Sequence, residues 1–378
     1  MKTGIDYRPA LLSRTGIGRH TREITAAMAE QLGVDEELSL FGVSLASGSA
    51  RLPRFENGPE RGRTLLVRRR FPARLLHILG RLGLMGVETF TGPLDLFLYT
   101  DVVYPPLKGA RHVVTVYDLA FLRSGQFHGK GFARVLWKRM EPVLDSAAAI
   151  LVPSPATADD VRTFAPACAG KVRLVPLGGD HLLPPGAGAP VPPEILAGMD
   201  SFFLAVGTLE PRKNWERVLH AFESAAPDLD GAGLLFAGTP GWLYTSFLEN
   251  LKASPVRDRV RFVDALSDEI LAALYDRAIA LVYPSLWEGF GLPVAEALFS
   301  GCPVITSNRA SLPWLAGRAA LVVDPEDGIA IAGAMRRICR ERGLRDELSA
   351  AARERSQEFT WKKTAAATLE ILRHEASR

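Results

Sequence analysis

Cysteine is scarce in this sequence, and its three examples, Cys168, Cys302 and Cys339, stand far apart with no C-x-x-C pair. That spacing excludes a zinc ribbon or a disulfide framework and points to a reducing compartment. Long apolar runs are missing too: none approaches the ~18 uninterrupted residues that a membrane-spanning helix needs. The first residues hold neither a signal-like apolar core nor a cleavage site, so the expectation is a cytoplasmic protein. An excess of one charge is also lacking. The 45 Lys and Arg are nearly balanced by 42 Asp and Glu, a formal net charge of +3, too small to argue for a nucleic-acid partner. A complete G-x-G-x-x-G is absent as well. Lys2 to Tyr7 is a poor strand by composition, anchored only by Ile5, and the glycines Gly16 and Gly18 follow it. Thr21 stands where the third glycine belongs, which disfavours a nicotinamide dehydrogenase. The segment from Thr15 to His20 is then a flexible turn or a ligand loop, before a helical pattern from Thr21 to about Leu32.

What is present is an alternation of short apolar runs and helical patterns. With 378 residues, two domains are expected rather than one. Strands are read at Leu38 to Val43, Thr64 to Val67, Asp95 to Tyr99, Arg111 to Val116, Ala149 to Val152 and Lys171 to Pro176. A second series runs through Phe202 to Val206, Leu234 to Ala237, Val260 to Val263, Ala278 to Tyr283, Pro303 to Thr306 and Ala320 to Val323. Helical patterns such as Phe132 to Leu144, Thr157 to Phe164, Trp215 to Phe222 and Asp268 to Tyr275 separate them, and such alternation builds parallel sheets covered by helices. The Pro/Gly-rich stretch after Leu177 marks the clearest boundary. It divides the chain into residues 1–178, a linker at 179–193, and a second domain at 194–358.

The chemistry is concentrated between Tyr283 and Asn308, YPSLWEGFGLPVAEALFSGCPVITSN. Gly289 and Gly291 bracket Phe290 and let the backbone turn sharply with its N–H groups exposed. Pro293 suits the first turn of a helix that Gly301 stops. Glu288 therefore lies in a loop at the carboxyl end of a strand, where open parallel sheets bind ligands, and Glu296 on the helix that follows. A helix N-terminus behind such a loop favours a negatively charged ligand. Two carboxylates alone fit a solvated Glu288 and a Glu296 in a helix salt bridge better than a site. The whole string, Glu288-Gly289-Phe290-Gly291-Leu292-Pro293 followed by Glu296, resembles the Glu-x7-Glu motif of family 4 glycosyltransferases. These are retaining enzymes of the α/β GT-B fold, two Rossmann-like doubly wound domains facing a cleft.

A second string supports the resemblance. Gly207-Thr208-Leu209-Glu210-Pro211-Arg212-Lys213-Asn214 follows the first strand of the second domain. Two adjacent cations there are either solvated bases or a grip for a diphosphate, Lys as a mobile point charge and Arg as a planar fork. The string resembles the family's Glu-x-Arg-Lys segment, whose Arg and Lys bind the donor diphosphate. By that resemblance Arg212, Lys213 and Glu288 are catalytic, with Glu288 contacting the sugar and Glu296 holding the ribose. Gly207, Thr208, Gly289, Phe290, Gly291 and Leu292 join them around the donor, with Gly16 and Gly18 from the family's Gly-rich loop. Val263, in the turn Arg261 to Asp264, is expected near the base. Asp118 follows a strand directly and is a further catalytic candidate or a helix cap. Relatives often have His where Tyr117 stands, so that residue's family role has no counterpart here. Asp228-Leu229-Asp230 reads as a turn, not a metal-binding D-x-D. The helix beginning near Trp361 resembles the C-terminal segment that crosses back to the first domain in GT-B enzymes.

The resemblance implies a nucleotide-sugar donor, GDP-mannose first, since the loop and the GTLEPRKN string look like bacterial mannosyl- and rhamnosyltransferases of polysaccharide assembly. It implies no metal or other cofactor, and a saccharide acceptor that can be linked to a polyprenyl diphosphate. The basic, Leu-rich stretch from Arg61 to Met85 is read as an amphipathic helix. It is a core helix with a solvated charged face, or a surface that meets anionic lipid and places the protein at the inner face of the cytoplasmic membrane. A GT-B-type sugar-nucleotide epimerase and a non-catalytic sugar-nucleotide-binding protein are the alternatives in other functional classes.

Overall fold

Apolar runs that do not alternate become strands buried on both faces. In the computed structural model all residues of Leu96–Tyr99, Ala149–Val152, Phe202–Val206 and Gly233–Ala237 are buried strand. The structure describes residues 1–13, 16–43, 62–123, 130–182, 184, 186–187, 190–196, 198–241, 245–264 and 266–378. Thr15, Arg61 and most of the Gly/Ser/Pro-rich stretch between the strands read at Leu38 to Val43 and Thr64 to Val67 lie outside these described residues. The chain divides into two compact units, one comprising Met1–Leu177 with Trp361–Arg378 and the other Gly178–Thr360.

The first unit is built on β1 (Lys2–Asp6), β2 (Glu37–Val43), β3 (Arg63–Arg69), β4 (Leu96–Tyr99), β5 (Arg111–Thr115), β6 (Ala149–Val152) and β7 (Val172–Leu174). They form one parallel sheet in the order β3-β2-β1-β4-β5-β6-β7. Helix Trp361–Ala376 belongs to this unit. Thr364 donates to the Pro176 carbonyl at 2.8 Å, and Arg373 grips Glu36 with two hydrogen bonds of 2.8 and 2.7 Å. The second unit holds β8 (Phe202–Val206), β9 (Gly233–Ala237), β10 (Val260–Val263), β11 (Leu281–Tyr283), β12 (Val304–Ser307) and β13 (Ala320–Val323). Its parallel sheet runs β10-β9-β8-β11-β12-β13. Trp215, Phe222, Phe236 and Phe247 pack in its core. Among the described residues no helix is long and apolar enough to cross a membrane.

Three local expectations are corrected. Gly16 and Gly18 lie in the first turns of helix Gly16–Ala29, not in a loop before it. A Cβ on Gly18 would sit 2.1 Å from the Ser13 carbonyl oxygen, so this glycine permits close backbone packing. The supposed linker at 179–193 starts as packed structure of the second unit. Gly179 donates its N–H to Phe359 O at 3.0 Å, and its missing Cβ lets it lie against the Ala295 carbonyl. The basic stretch is not one amphipathic helix. Arg63, Arg68 and Arg69 belong to edge strand β3, and only Arg74 and Arg81 fall on helix Ala73–Arg81. The hydrogen bonds of β3 to β2 take precedence over the helical periodicity of its side chains.

His20 is buried in the first unit beside Tyr117 and Trp361. The Tyr117 hydroxyl donates to Thr100 O at 3.0 Å and lies 2.7 Å from His20 Nδ1. A carbonyl only accepts, so the phenol proton goes to Thr100 and a neutral His20 supplies an Nδ1–H to the phenolic oxygen. Burial pushes the imidazole down from its ordinary 6.5 to about 3. The unfolded chain therefore takes up a proton below about pH 6.5 that the folded chain refuses, and stability is lost as pH falls. At about 1.4 kcal/mol per pH unit, wild type should lose about 2 kcal/mol relative to His20→Gln between pH 7 and pH 5. Denaturant unfolding of both proteins across that range checks it; parallel curves would refute it.

Candidate active site

The sheet order places β8 beside β11, with Leu204 opposite Leu281, so the loops leaving their carboxyl ends are neighbours. The β8 strand runs into Gly207 at φ +140°, and a Cβ on Gly238 would fall 1.6 Å from the Gly207 carbonyl oxygen. Only glycines allow the two backbones to meet there. A tight turn, Pro211–Lys213, follows and ends at Asn214 in the left-handed region, φ +64°. The Asn214 amide donates to Pro284 O at 3.0 Å and to Pro325 O at 2.7 Å. This ties the turn to the β11 loop and aims Arg212 and Lys213 at it.

The β11 loop is fixed from the other side. The Ser311 hydroxyl lies 2.8 Å from Glu288 O and 2.7 Å from Phe290 O, and Leu286 N–H donates to Arg212 O at 2.9 Å. Phe290 puts its ring among Trp314 and Phe359, with centroids 6.4 and 5.8 Å away, so it serves the core and leaves its backbone to the site. Gly291, at φ +102°, caps helix Leu292–Ser300, and a Cβ there would strike Leu312 at 2.6 Å. At its far end Gly301 closes the helix in the left-handed region.

Glu288 is the centre of this arrangement. Its Oε2 accepts from Arg212 Nη1 at 2.6 Å. Its Oε1 accepts from Lys213 Nζ at 2.8 Å and from the Tyr283 hydroxyl at 2.8 Å. Arg212 Nη2 also donates to Glu210 Oε1 at 2.6 Å, and Nη1 to Trp287 O at 2.7 Å. Lys213 Nζ donates to the Tyr283 hydroxyl and lies 4.9 Å from the centre of its ring. Glu210, Lys213 and Glu288 are all buried. Burial alone would raise the Glu288 pKa, but the charges of Arg212 and Lys213 outweigh it and hold it at about 2. Burial and the Glu288 charge keep the Tyr283 phenol far above its usual range, so it remains a donor. The site thus contains two cations and two carboxylates in contact, all hydrogen-bonded.

Glu296 stands in a separate network of the same unit. It accepts from Tyr275 OH at Oε2, 2.8 Å, and meets His181 Nε2 at Oε1, 3.0 Å. Gly207 and Thr208 leave β8, and Val263 ends β10, at the carboxyl edge of the sheet that carries Tyr283. Gly16, Gly18 and Asp118 belong to the first unit. Asp118 Oδ1 accepts the Ala120 N–H at 3.0 Å, capping the short helix Ala120–Arg123. Asp228 is bonded to Arg336 and Arg340 at 2.8 and 2.5 Å. Sequence reasoning missed Tyr283, Glu210, Asn214, Ser311, His181 and Tyr275 as site residues. Glu210 and Asn214 stood inside the Gly207 to Asn214 string. Tyr283 passed as the last residue of a strand, and His181 carries no local signal within a Pro/Gly-rich stretch.

Residues 192–355 match the family of glycosyl transferases group 1. Along its whole length the chain is similar to O-antigen chain mannosyltransferase B of Escherichia coli, 29% identical over 384 residues, with 98% of each chain covered. It is 32% identical over 174 residues to the serotype-specific mannosyltransferase WbdA of Escherichia coli, covering 45% of this chain and 21% of WbdA. Among solved structures, the sucrose-phosphate synthase of Thermosynechococcus elongatus matches its fold with a TM-score of 0.78 at 21% identity, covering 99% of this chain and 98% of that one. The chain is a GT-B glycosyltransferase that uses a nucleotide sugar. In this glycosyltransferase the Glu-x7-Glu string supplies the loop carboxylate that meets the Arg212–Lys213 pair.

Without Lys213, Glu288 keeps only Arg212 and Tyr283 as buried partners, so Lys213→Ala should lower the melting temperature. It should also lower turnover about 30- to 1000-fold, the range expected when one preorganised donor is lost. The Glu288 pKa is depressed, so its stabilisation is full above the ordinary 4.5 and is lost as pH falls toward about 2. The stability gap between wild type and Glu288→Gln should stay level from neutral pH to about 4.5 and narrow below it. Urea unfolding at a series of pH values reads this directly; a gap that narrows already near pH 6 would contradict the assignment.

Proposed function

We propose that this glycosyltransferase moves mannose from GDP-mannose, with retention of anomeric configuration, onto a saccharide acceptor in bacterial polysaccharide assembly. The observation that carries this reading is the end-to-end similarity to an O-antigen chain mannosyltransferase, 98% of each chain. Arg212 and Lys213 hold the donor diphosphate, and the N–H groups of the Gly289 to Leu292 loop face its developing charge. Donors preorganised at a leaving oxygen usually contribute more to such catalysis than any other single effect. Two cations and these dipoles supply the charge stabilisation, and neither a metal nor another cofactor enters the step. Glu288 accepts from hydroxyls of the transferred sugar. Glu296 holds the ribose: a carboxylate offers about four acceptor positions, so Tyr275 and His181 leave room for its hydroxyls. The acceptor hydroxyl attacks from the face the diphosphate leaves, and a phosphate oxygen takes its proton.

The acceptor is saccharide on a lipid diphosphate, presented at an anionic membrane. The surface that supports this lies in the first unit. Leu75, Ile78, Leu82 and Leu84 are 41%, 55%, 65% and 60% exposed on and just after helix Ala73–Arg81, and Arg69, Arg70, Arg74 and Arg81 are exposed beside them. Each Arg at an anionic surface contributes about 1 kcal/mol.

Incubation with GDP-mannose, UDP-glucose and other nucleotide sugars, each with a mannose-terminated lipid-linked oligosaccharide, tests the reaction. GDP-mannose should be consumed and the product should show an α-mannosyl linkage by NMR. Transfer from a different donor, or inversion at the anomeric carbon, would overturn the reading. Vesicle co-sedimentation tests the membrane separately. Binding to anionic vesicles should weaken with added salt and fall when Arg68, Arg69 and Arg70 are changed to Ser. No binding at low salt would make a soluble acceptor the better choice.

A further inference from the structure

Both cations assigned to the diphosphate are already engaged. Arg212 donates to Glu210 and Glu288, and Lys213 to Glu288 and Tyr283. An arriving diphosphate must draw them from a buried carboxylate and then lie close to that carboxylate. Buried charge without a partner is costly, so the exchange is favourable only if Glu288 finds a new donor. Tyr283 provides part of it. Its hydroxyl reaches Glu288 Oε1 independently of Lys213, at 2.8 Å, and its buried phenol keeps its proton. Once the cations turn to the diphosphate, the acceptor positions they leave on Glu288 suit the hydroxyls of a sugar.

Resting on the donor-site reading above, we infer that Glu288 is the internal counter-ion of the diphosphate site and couples sugar recognition to diphosphate binding. A nucleotide sugar displaces Glu288 from Lys213 and Arg212 and repays it with hydroxyl donors. A nucleoside diphosphate that has lost its sugar displaces the same carboxylate without supplying those donors, and leaves it beside a like charge. Glu288 therefore weakens the binding of the departing product more than that of the donor. It favours product release, a role distinct from contacting the transferred sugar.

Inorganic pyrophosphate carries the diphosphate without sugar or base, and calorimetric titration of the full chain with it isolates the exchange. Glu288→Gln should bind pyrophosphate at least tenfold more tightly than wild type, about 1.4 kcal/mol, although its transferase activity falls. A merely structural Glu288 would give weaker binding in that variant, not tighter. Equal or weaker binding by a cooperatively melting Glu288→Gln protein overturns the inference. Should Glu288→Gln fail to fold, the wild-type chain still tests the inference: it should bind intact GDP-mannose several-fold more tightly than GDP. Equal or tighter binding of GDP would overturn the inference. Lys213→Ala separates this from the reading beneath it: pyrophosphate affinity equal to wild type would mean that the cations do not hold the diphosphate at all.

Discussion

A single buried carboxylate shared by two cations constrains the second unit. Glu288 cannot be left in a low-dielectric interior without partners, and neither can Lys213. Bringing the three together requires the ends of β8 and β11 to be adjacent, and the doubly wound order provides that adjacency at the middle of the sheet. Asn214, Ser311 and the glycines at 207, 238 and 291 hold the two loops so that the charges meet at hydrogen-bonding distance. Rigid support of this kind is what makes a charged cluster useful, because donors already in place need no reorganisation when charge develops.

The two motif glutamates show how far environment separates residues of one string. Glu288 lies in a loop and is bonded to cations; Glu296, on the following helix, is bonded to a phenol and an imidazole. Between them Phe290 anchors the loop by burying its ring with Trp314 and Phe359. Apolar packing of that ring thus acts together with the Ser311 hydrogen bonds to position the backbone that faces the proposed phosphate.

Much of the fold was legible because buried parallel strands and helix ends leave local marks. All residues of FFLAV and AILV are buried strand as their lack of alternation demands, and Gly301 ends its helix with the left-handed cap expected of it. Where reading and structure differ, packing that no single element encodes decided. Gly16 and Gly18 look like a loop until the approach of the Ser13 carbonyl is known. The residues after Leu177 look like a linker until Gly179 and His181 are seen packed on the second unit. Arg68 and Arg69, just past the strand read at Thr64 to Val67, look helical until β2 pairs with them.

By itself the sequence determined the class of fold and the chemistry on offer. Strand period, glycine punctuation and the strings around Arg212 and Glu288 are properties of neighbouring residues, and local sterics enforce them wherever the chain goes. Tertiary structure alone decided the partners. That Tyr283 shares Glu288 with Lys213, that Glu210 shares Arg212 with Glu288, and that His181 reaches Glu296 across 115 residues follow from strand order and loop closure. No local rule encodes these, because a side chain's pKa and hydrogen bonds depend on what folding brings beside it.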